Sequence, residues 1–394
     1  MVERRQLMPD SPHVIWGRVL SDGHELPASR IEIANGRITR LEPADRPVDA
    51  DIVVGKGWIA PGLIDLQVNG AAGADLTAAD DPAAALRHVA IALAQHGVTA
   101  FCPTIVSSPV ELIVNRIGAY AAQRIVGGAD SLGAHVEGPF LDPDHRGVHD
   151  PRVLRDASRD EIERWLSAGR PAIATLAPER PGALDAIRQL REAKVVVSLG
   201  HSGATKDQAR HGLEAGATMA THLFNAMPPL HHRAPGLVGA LLASQARLGL
   251  IADGVHFDPL ILDLVVQRAG VRRVILVSDA LAAAAATAGQ FVLGEQSVHS
   301  DGRTVRRTDG TLAGSALLLD GCLRNARAWL PRLAPAEVLR MATQTPADAL
   351  GLRRKGRVAL GADADLVILD SEWQVRQTLV GGALVASAEA EVPA

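Results

Sequence analysis

A chain of 394 residues with 40 basic and 44 acidic side chains, and a formal charge of −4, is longer than one average domain and suits a large barrel with a small companion. No basic run stands out and no apolar run could span a bilayer, which argues against nucleic-acid and membrane partners, and the N-terminus around Glu3, Arg4 and Arg5 lacks a signal-like apolar core. Two cysteines, Cys102 and Cys322, make no disulfide framework, so a reducing, cytoplasmic setting is expected.

In chain order, residues 13–20, 29–34 and 37–42 are short β-rich runs, and Asn35-Gly36 is a type I′ hairpin signal. The same character returns at 364–370, 375–380 and 383–386, and the tail after about residue 387 is small, polar and expected to fray. The two ends flank a long alternating region, so 1–58 and 355–394 are expected to meet in one small β-sandwich domain. Between them, strand signals fall at 63–69, 98–103, 131–137, 172–177, 195–201, 217–223, 248–253 and 273–279. Helix-like segments such as 83–96 and 183–193 lie between them, and two more follow at 319–329 and 335–341. Eight β-then-α units predict a TIM-like (β/α)₈ barrel over 59–354, with a doubly wound sheet as the runner-up.

Polar residues gather where these predicted strands end, which is where barrels place their chemistry. The third strand ends on Glu137 before a Gly-Pro break, the fifth on His201 and the sixth on His222. A carboxylate alone there could cap a loop or pair with an arginine, and a lone histidine is more often a hydrogen-bonded core residue. Together they form the set of one carboxylate and two imidazoles found in catalytic zinc sites with an open fourth position. Asp279 closes the eighth strand. It could cap a following alanine-rich helix, but at the ligands' end of the barrel it is better read as a general base that takes a proton from water and returns it to a leaving group. His149 is either a loop histidine or a group that polarises a carbonyl. Arg233 and His256, with backbone amides near Asn225 and Ala226, suit an anion, against the alternative of a surface arginine.

These residues resemble a known family. Pro61-Gly62-Leu63-Ile64-Asp65, Ser278-Asp279 and the late run 361–367 resemble the amidohydrolase superfamily. HVEGPF (135–140), GHS (200–202), THLFNAM (221–227), APGLVGA (234–240), ADGVH (252–256) and GTLAGS (310–315) more closely resemble the N-acetylglucosamine-6-phosphate deacetylases, across nearly the whole chain. The resemblance implies metal ligands at Glu137, His201 and His222, Asp279 as acid/base and His149 as carbonyl polariser. It also implies substrate contacts at Asn225, Ala226, Arg233, His256 and Leu312, and a homodimer in which the Arg233 loop works near the subunit interface. The implied substrate is a phosphorylated N-acetyl amino sugar, with N-acetyl-D-glucosamine 6-phosphate split into D-glucosamine 6-phosphate and acetate. The galacto epimer, another amidohydrolase reaction and a non-catalytic sugar-phosphate sensor are the rivals.

Two departures stand out. Where many superfamily members carry His-x-His on the first strand, this chain has Gln67-Val68-Asn69, and neutral amides are poor ligands. One divalent ion per subunit is therefore expected, zinc first, with iron, manganese or cobalt as options. Relatives commonly have glutamate after the arginine, where this chain has Ala234, a change expected to free Arg233 or loosen its loop.

Overall fold

A computed structural model describes residues 12–387, so the frayed tail expected after 387 lies outside the described residues. Strands from both chain ends pair into one sheet in the spatial order Ala383–Ser387, Val375–Val380, Leu366–Asp370, Gly57–Pro61, His13–Ser21, His24–Ala34, Arg37–Pro43, with Ile52–Val53 beside His13–Ser21. The predicted hairpin is present: Asn35 and Gly36 both take positive φ, 52° and 71°, between strands paired Ala34 to Arg37. Alternation along Leu366–Asp370 explains its unbroken apolar run. Leu366 and Ile368 join a core of Ile15, Ile31, Ile33 and Ile59, while Val367 and Leu369 belong to the larger core shared with the barrel.

The eight barrel strands are Leu63–Val68, Val98–Val106, His135–Glu137, Ile173–Leu176, Val196–Leu199, Met219–Ala220, Arg247–Leu250 and Val274–Leu276. Each pairs in parallel with the next. The eighth meets the first through a parallel bridge between Val68 and Ala280, where Asp279 N–H donates to Gln67 O at 3.0 Å. Lower down, the chain at 341–342 wedges between those two strands, accepting from Leu276 N–H and Ile64 N–H at 2.9 Å each. The closed barrel predicted from the sequence is thus the fold, with a separate β-rich unit built from both ends.

Most strands are shorter than their apolar runs. The predicted strand 131–137 is divided: Asp130–Ser131 pairs beside the second strand, and only His135–Glu137 enters the barrel. Local signals fix the helices. Asp81 accepts from Ala84 N–H ahead of Pro82–Gln95, Thr205 and Gln208 form a capping box on Lys206–Ala215, and Asp258 caps Pro259–Ala269. Lys355 joins the two parts of the molecule, reaching Asp130 at 3.0 Å and Asp365 at 2.6 Å. After the eighth strand the alanine-rich run 282–285 is a series of turns. A three-stranded antiparallel sheet follows, Gly289–Leu293, Gln296–Ser300 and Val305–Arg306, which the sequence reading did not expect. Among the described residues, no helix is long and apolar enough to cross a membrane.

Candidate active site

The barrel interior changes character along its axis. Ile64, Cys102, Ile173, Met219 and Ile275 form an apolar floor. Above it, fully buried His135 accepts from Thr175 Oγ at one ring nitrogen, 2.7 Å away, and donates to Leu66 O at the other, at 3.0 Å. Thr175, Thr221 and Ser198 then chain their hydroxyls at 2.7 and 2.6 Å. This saturated polar layer carries no free charge and supports the mouth directly above it.

At the mouth, Glu137 ends its strand, and His201 and His222 stand just beyond theirs. His201, His222 and Asp279 all adopt positive φ, at 49°, 27° and 51°, as do Phe224 and Ala226. Such backbone is costly for residues with a Cβ, and its concentration at one rim marks a site where side-chain direction outweighs local comfort. Glu137 Oε1 lies 3.1 Å from His222 Nε2 and 3.4 Å from His201 Nε2, and the two imidazole nitrogens are 3.1 Å apart. A tetrahedral ion with bonds of about 2.0–2.1 Å would set its ligands roughly 3.3 Å apart, so this triangle has the size of one face of such a polyhedron. The surrounding cavity, about 220 Å³, is lined by the acids Glu137 and Asp279 but by no Lys or Arg. A cation is the charge this donor set lacks, and the three residues fit a divalent ion.

The electrostatics agree. Burial works to raise the Glu137 carboxyl, but hydrogen bonds with His201 and His222 hold it well below the ordinary carboxylate range. At Asp279 the balance is reversed. Burial first, and then the charge on Glu137, push it up to about 8, and the nearby His222 and the hydrogen bond from Asn69 are outweighed. Burial lowers His149 to about 3, so its ring is neutral.

The same cavity is lined by His149, Asn225, Ala226, His256 and Leu312, so the structure gathers nearly every residue expected there. Arg233 is the exception. It is exposed, in an exposed stretch from Pro229 to Ala234, and its guanidinium contacts the neighbouring His232 ring at 2.8 Å. The capping alternative for Asp279 falls away, because no helix follows it.

Some contributors were not foreseen. Gln67 and Asn69, weighed only as failed metal ligands, act as donors: Gln67 Nε2 to Glu137 Oε1 at 2.8 Å, and Asn69 Nδ2 to Asp279 Oδ1 at 2.7 Å. Their spacing of two on a strand, which puts both on one face, was the available signal. Asp253, three residues before His256, accepts from that ring at 2.8 Å. Leu293 of the unforeseen sheet walls the cavity, and nothing in its local sequence pointed there.

A model of the amidohydrolase family matches residues 58–385. The N-acetylglucosamine-6-phosphate deacetylase of Bos taurus is 39% identical over 351 residues, 85% of each chain. The N-acetylgalactosamine-6-phosphate deacetylase of Escherichia coli O157:H7 is 37% identical over 383 residues, 94% of this chain and 99% of that one. Among solved structures, a mutant of the Mycobacterium smegmatis N-acetyl-D-glucosamine-6-phosphate deacetylase in complex with N-acetyl-D-glucosamine-6-phosphate superposes with a TM-score of 0.89 at 34% identity, covering 96% of this chain and all of that one. A D-hydantoinase at 12% identity and a TM-score of 0.62 shares the fold alone. With that coverage, and with the barrel mouth described above, the chain belongs to the amidohydrolase family, in the group of the N-acetylglucosamine-6-phosphate deacetylases.

Proposed function

We propose that this chain hydrolyses the acetamide of N-acetyl-D-glucosamine 6-phosphate, releasing D-glucosamine 6-phosphate and acetate. The observation that carries the reading is the meeting of Glu137, His201, His222 and Asp279 around one cavity in a chain that its deacetylase relatives match along most of its length. A divalent cation, which we take to be a single zinc, supplies a Lewis acid that polarises the amide carbonyl and makes water acidic. Glu137, His201 and His222 would hold it. Asp279 takes a proton from the attacking water as the new C–O bond forms, then passes it to the amide nitrogen as the C–N bond breaks. His149, with Nε2 4.0 Å from Glu137 Oε2, is assigned to the carbonyl oxygen as it gains charge.

Asn225, Ala226, His256 and Leu312 are assigned to the sugar phosphate, because they line the cavity beyond the three ligands. Arg233 is assigned to the phosphate across a homodimer interface. Two observations support this: its exposed position outside its own cavity, and an apolar groove between the same loop and the helix Pro259–Ala269, lined by Phe224, Met227, Leu230, Ile261 and Leu264. Catalysis is assigned to residues 59–354 and support to 1–58 and 355–394. The cytoplasm is the compartment we infer, in keeping with two buried, unpaired cysteines.

The Escherichia coli relative favours a second reading, the galacto epimer of the same substrate, since one inverted hydroxyl leaves the reaction chemistry untouched. Acetate release from both epimers, measured with metal content on the same sample, tests both. Turnover of neither by metal-loaded protein removes the proposal.

A further inference from the structure

His149 separates two cavities. One is the site; the other, about 200 Å³, lies beyond the ring, and Val106, Val148, His149 and Leu293 line both. A ring with open space on two sides is not oriented by packing alone, so its hydrogen bonds decide where it points and which nitrogen carries the proton. Both partners of Nδ1 come from one residue, Ser107, just past the second barrel strand. Its backbone N–H lies 3.2 Å from Nδ1 and its Oγ 2.8 Å away.

A backbone N–H can only donate, so Nδ1 must accept. A hydrogen on Nδ1 would be forced against that donor, which excludes both the Nδ1–H tautomer and the doubly protonated ring. The hydroxyl then donates as well, and Nε2, on the Glu137 side, carries the hydrogen. The neighbouring chain makes room for this contact: a Cβ on Gly138 would stand 2.1 Å from Ser107 Oγ, and Gly138 has φ +88°.

We propose that Ser107 is a positioning residue for the reaction, holding His149 as a neutral Nε2–H donor aimed at the developing oxyanion. The inference rests on the reading of His149 as the group that polarises the carbonyl. A neutral ring also adds no positive charge beside the cation site, and it donates without having to lose a proton in the reaction.

Two measurements on the metal-loaded protein test it. A neutron structure is expected to show deuterium on His149 Nε2 and none on Nδ1, with the Ser107 hydroxyl directed at Nδ1; deuterium on Nδ1 overturns the proposal. In kinetics, Ser107→Ala keeps the backbone N–H and with it the tautomer but removes the hydroxyl that aims the ring, so it is expected to lower kcat about tenfold with KM and metal content retained. The same change made in a His149→Ala background is expected to cost nothing more, because the serine acts only through the ring. Unchanged kcat in Ser107→Ala, or an equal loss in both backgrounds, overturns it. Should His149→Ala alone keep full kcat, the catalytic role of His149 fails instead, and the neutron result still decides the placement of the hydrogen.

Discussion

Asp279 shows how much of the chemistry is set by single contacts. One of its oxygens already accepts from Asn69, which, on the mechanism proposed above, leaves the other to exchange a proton with water and the leaving amine. Asp279→Asn keeps the shape and removes the base, so kcat is expected to fall by about 10²–10⁴ while metal content stays normal. Asn69→Ala leaves the base in place and removes only its anchor, so a loss of roughly tenfold in kcat is expected with little change in KM. Steady-state acetate release and metal analysis on the three proteins check the ordering. An Asn69→Ala loss as deep as that of Asp279→Asn would mean the amide does more than orient. Asp65 makes a different prediction. It is fully buried, its Oδ2 has no partner, and burial raises it to about 7 from 3.8. A carboxyl whose folded pKa lies above its unfolded one binds a proton on folding. It therefore imposes no penalty in acid, begins to cost stability as pH rises past its unfolded value near 4, and costs the full amount above about 7. Asp65→Asn mimics the protonated acid. Its melting temperature is expected to match the parent near pH 3, to rise above it from about pH 4 and to exceed it by a few degrees near pH 8. A parallel pH dependence in the two proteins would refute that assignment.

At the level of elements, the strands that could be read in advance are those whose burial is local and periodic. Leu366–Asp370 and Val274–Leu276 are apolar runs bounded by polar or glycine residues, and they fold as such runs should. The Glu137, His201, His222 and Asp279 positions could be read only together, since each alone has a bland explanation but four polar residues closing separate apolar runs at one barrel end share a single one. The sheet from Gly289 to Arg306 could not. Its strands are half exposed, and its core is borrowed: Leu293, Val298 and Val305 pack with Val106, Val148 and Leu281 of the barrel mouth, contacts remote in sequence. Gln67 and Asn69 were hidden differently, because their role needs partners 70 and 210 residues away. The borrowed sheet matters for function, because Leu293 closes one side of the cavity. Leu293→Ala is expected to admit water and loosen the enclosure, raising KM several-fold with metal content unchanged. Because the side chain is 4% exposed, some loss of stability should accompany this. Unaltered KM in a well-folded variant would exclude the sheet from substrate enclosure.

For the whole molecule, Arg233 stands apart from the other residues assigned to the substrate. Every other assigned substrate contact lines the cavity of its own chain, while Arg233 points outward beside His232. The loop that carries it also presents Leu230, which is 51% exposed, and across the groove stands Leu264, also 51% exposed. Large apolar side chains left open next to a guanidinium are what a subunit interface covers, and a second copy would bring its own arginine with it. Leu230→Asp combined with Leu264→Asp puts a charge on both sides of that groove and is expected to give a monomer in sedimentation. If the arginine serves the partner's site, this monomer should show the same rise in KM for the sugar phosphate as dimeric Arg233→Ala, roughly 10–100-fold for one lost charge-assisted phosphate contact. Adding Arg233→Ala to the monomer should then change nothing further. A monomer that keeps a normal KM until Arg233 is removed would place the arginine in its own subunit, with the exposed loop folding inward when the phosphate arrives.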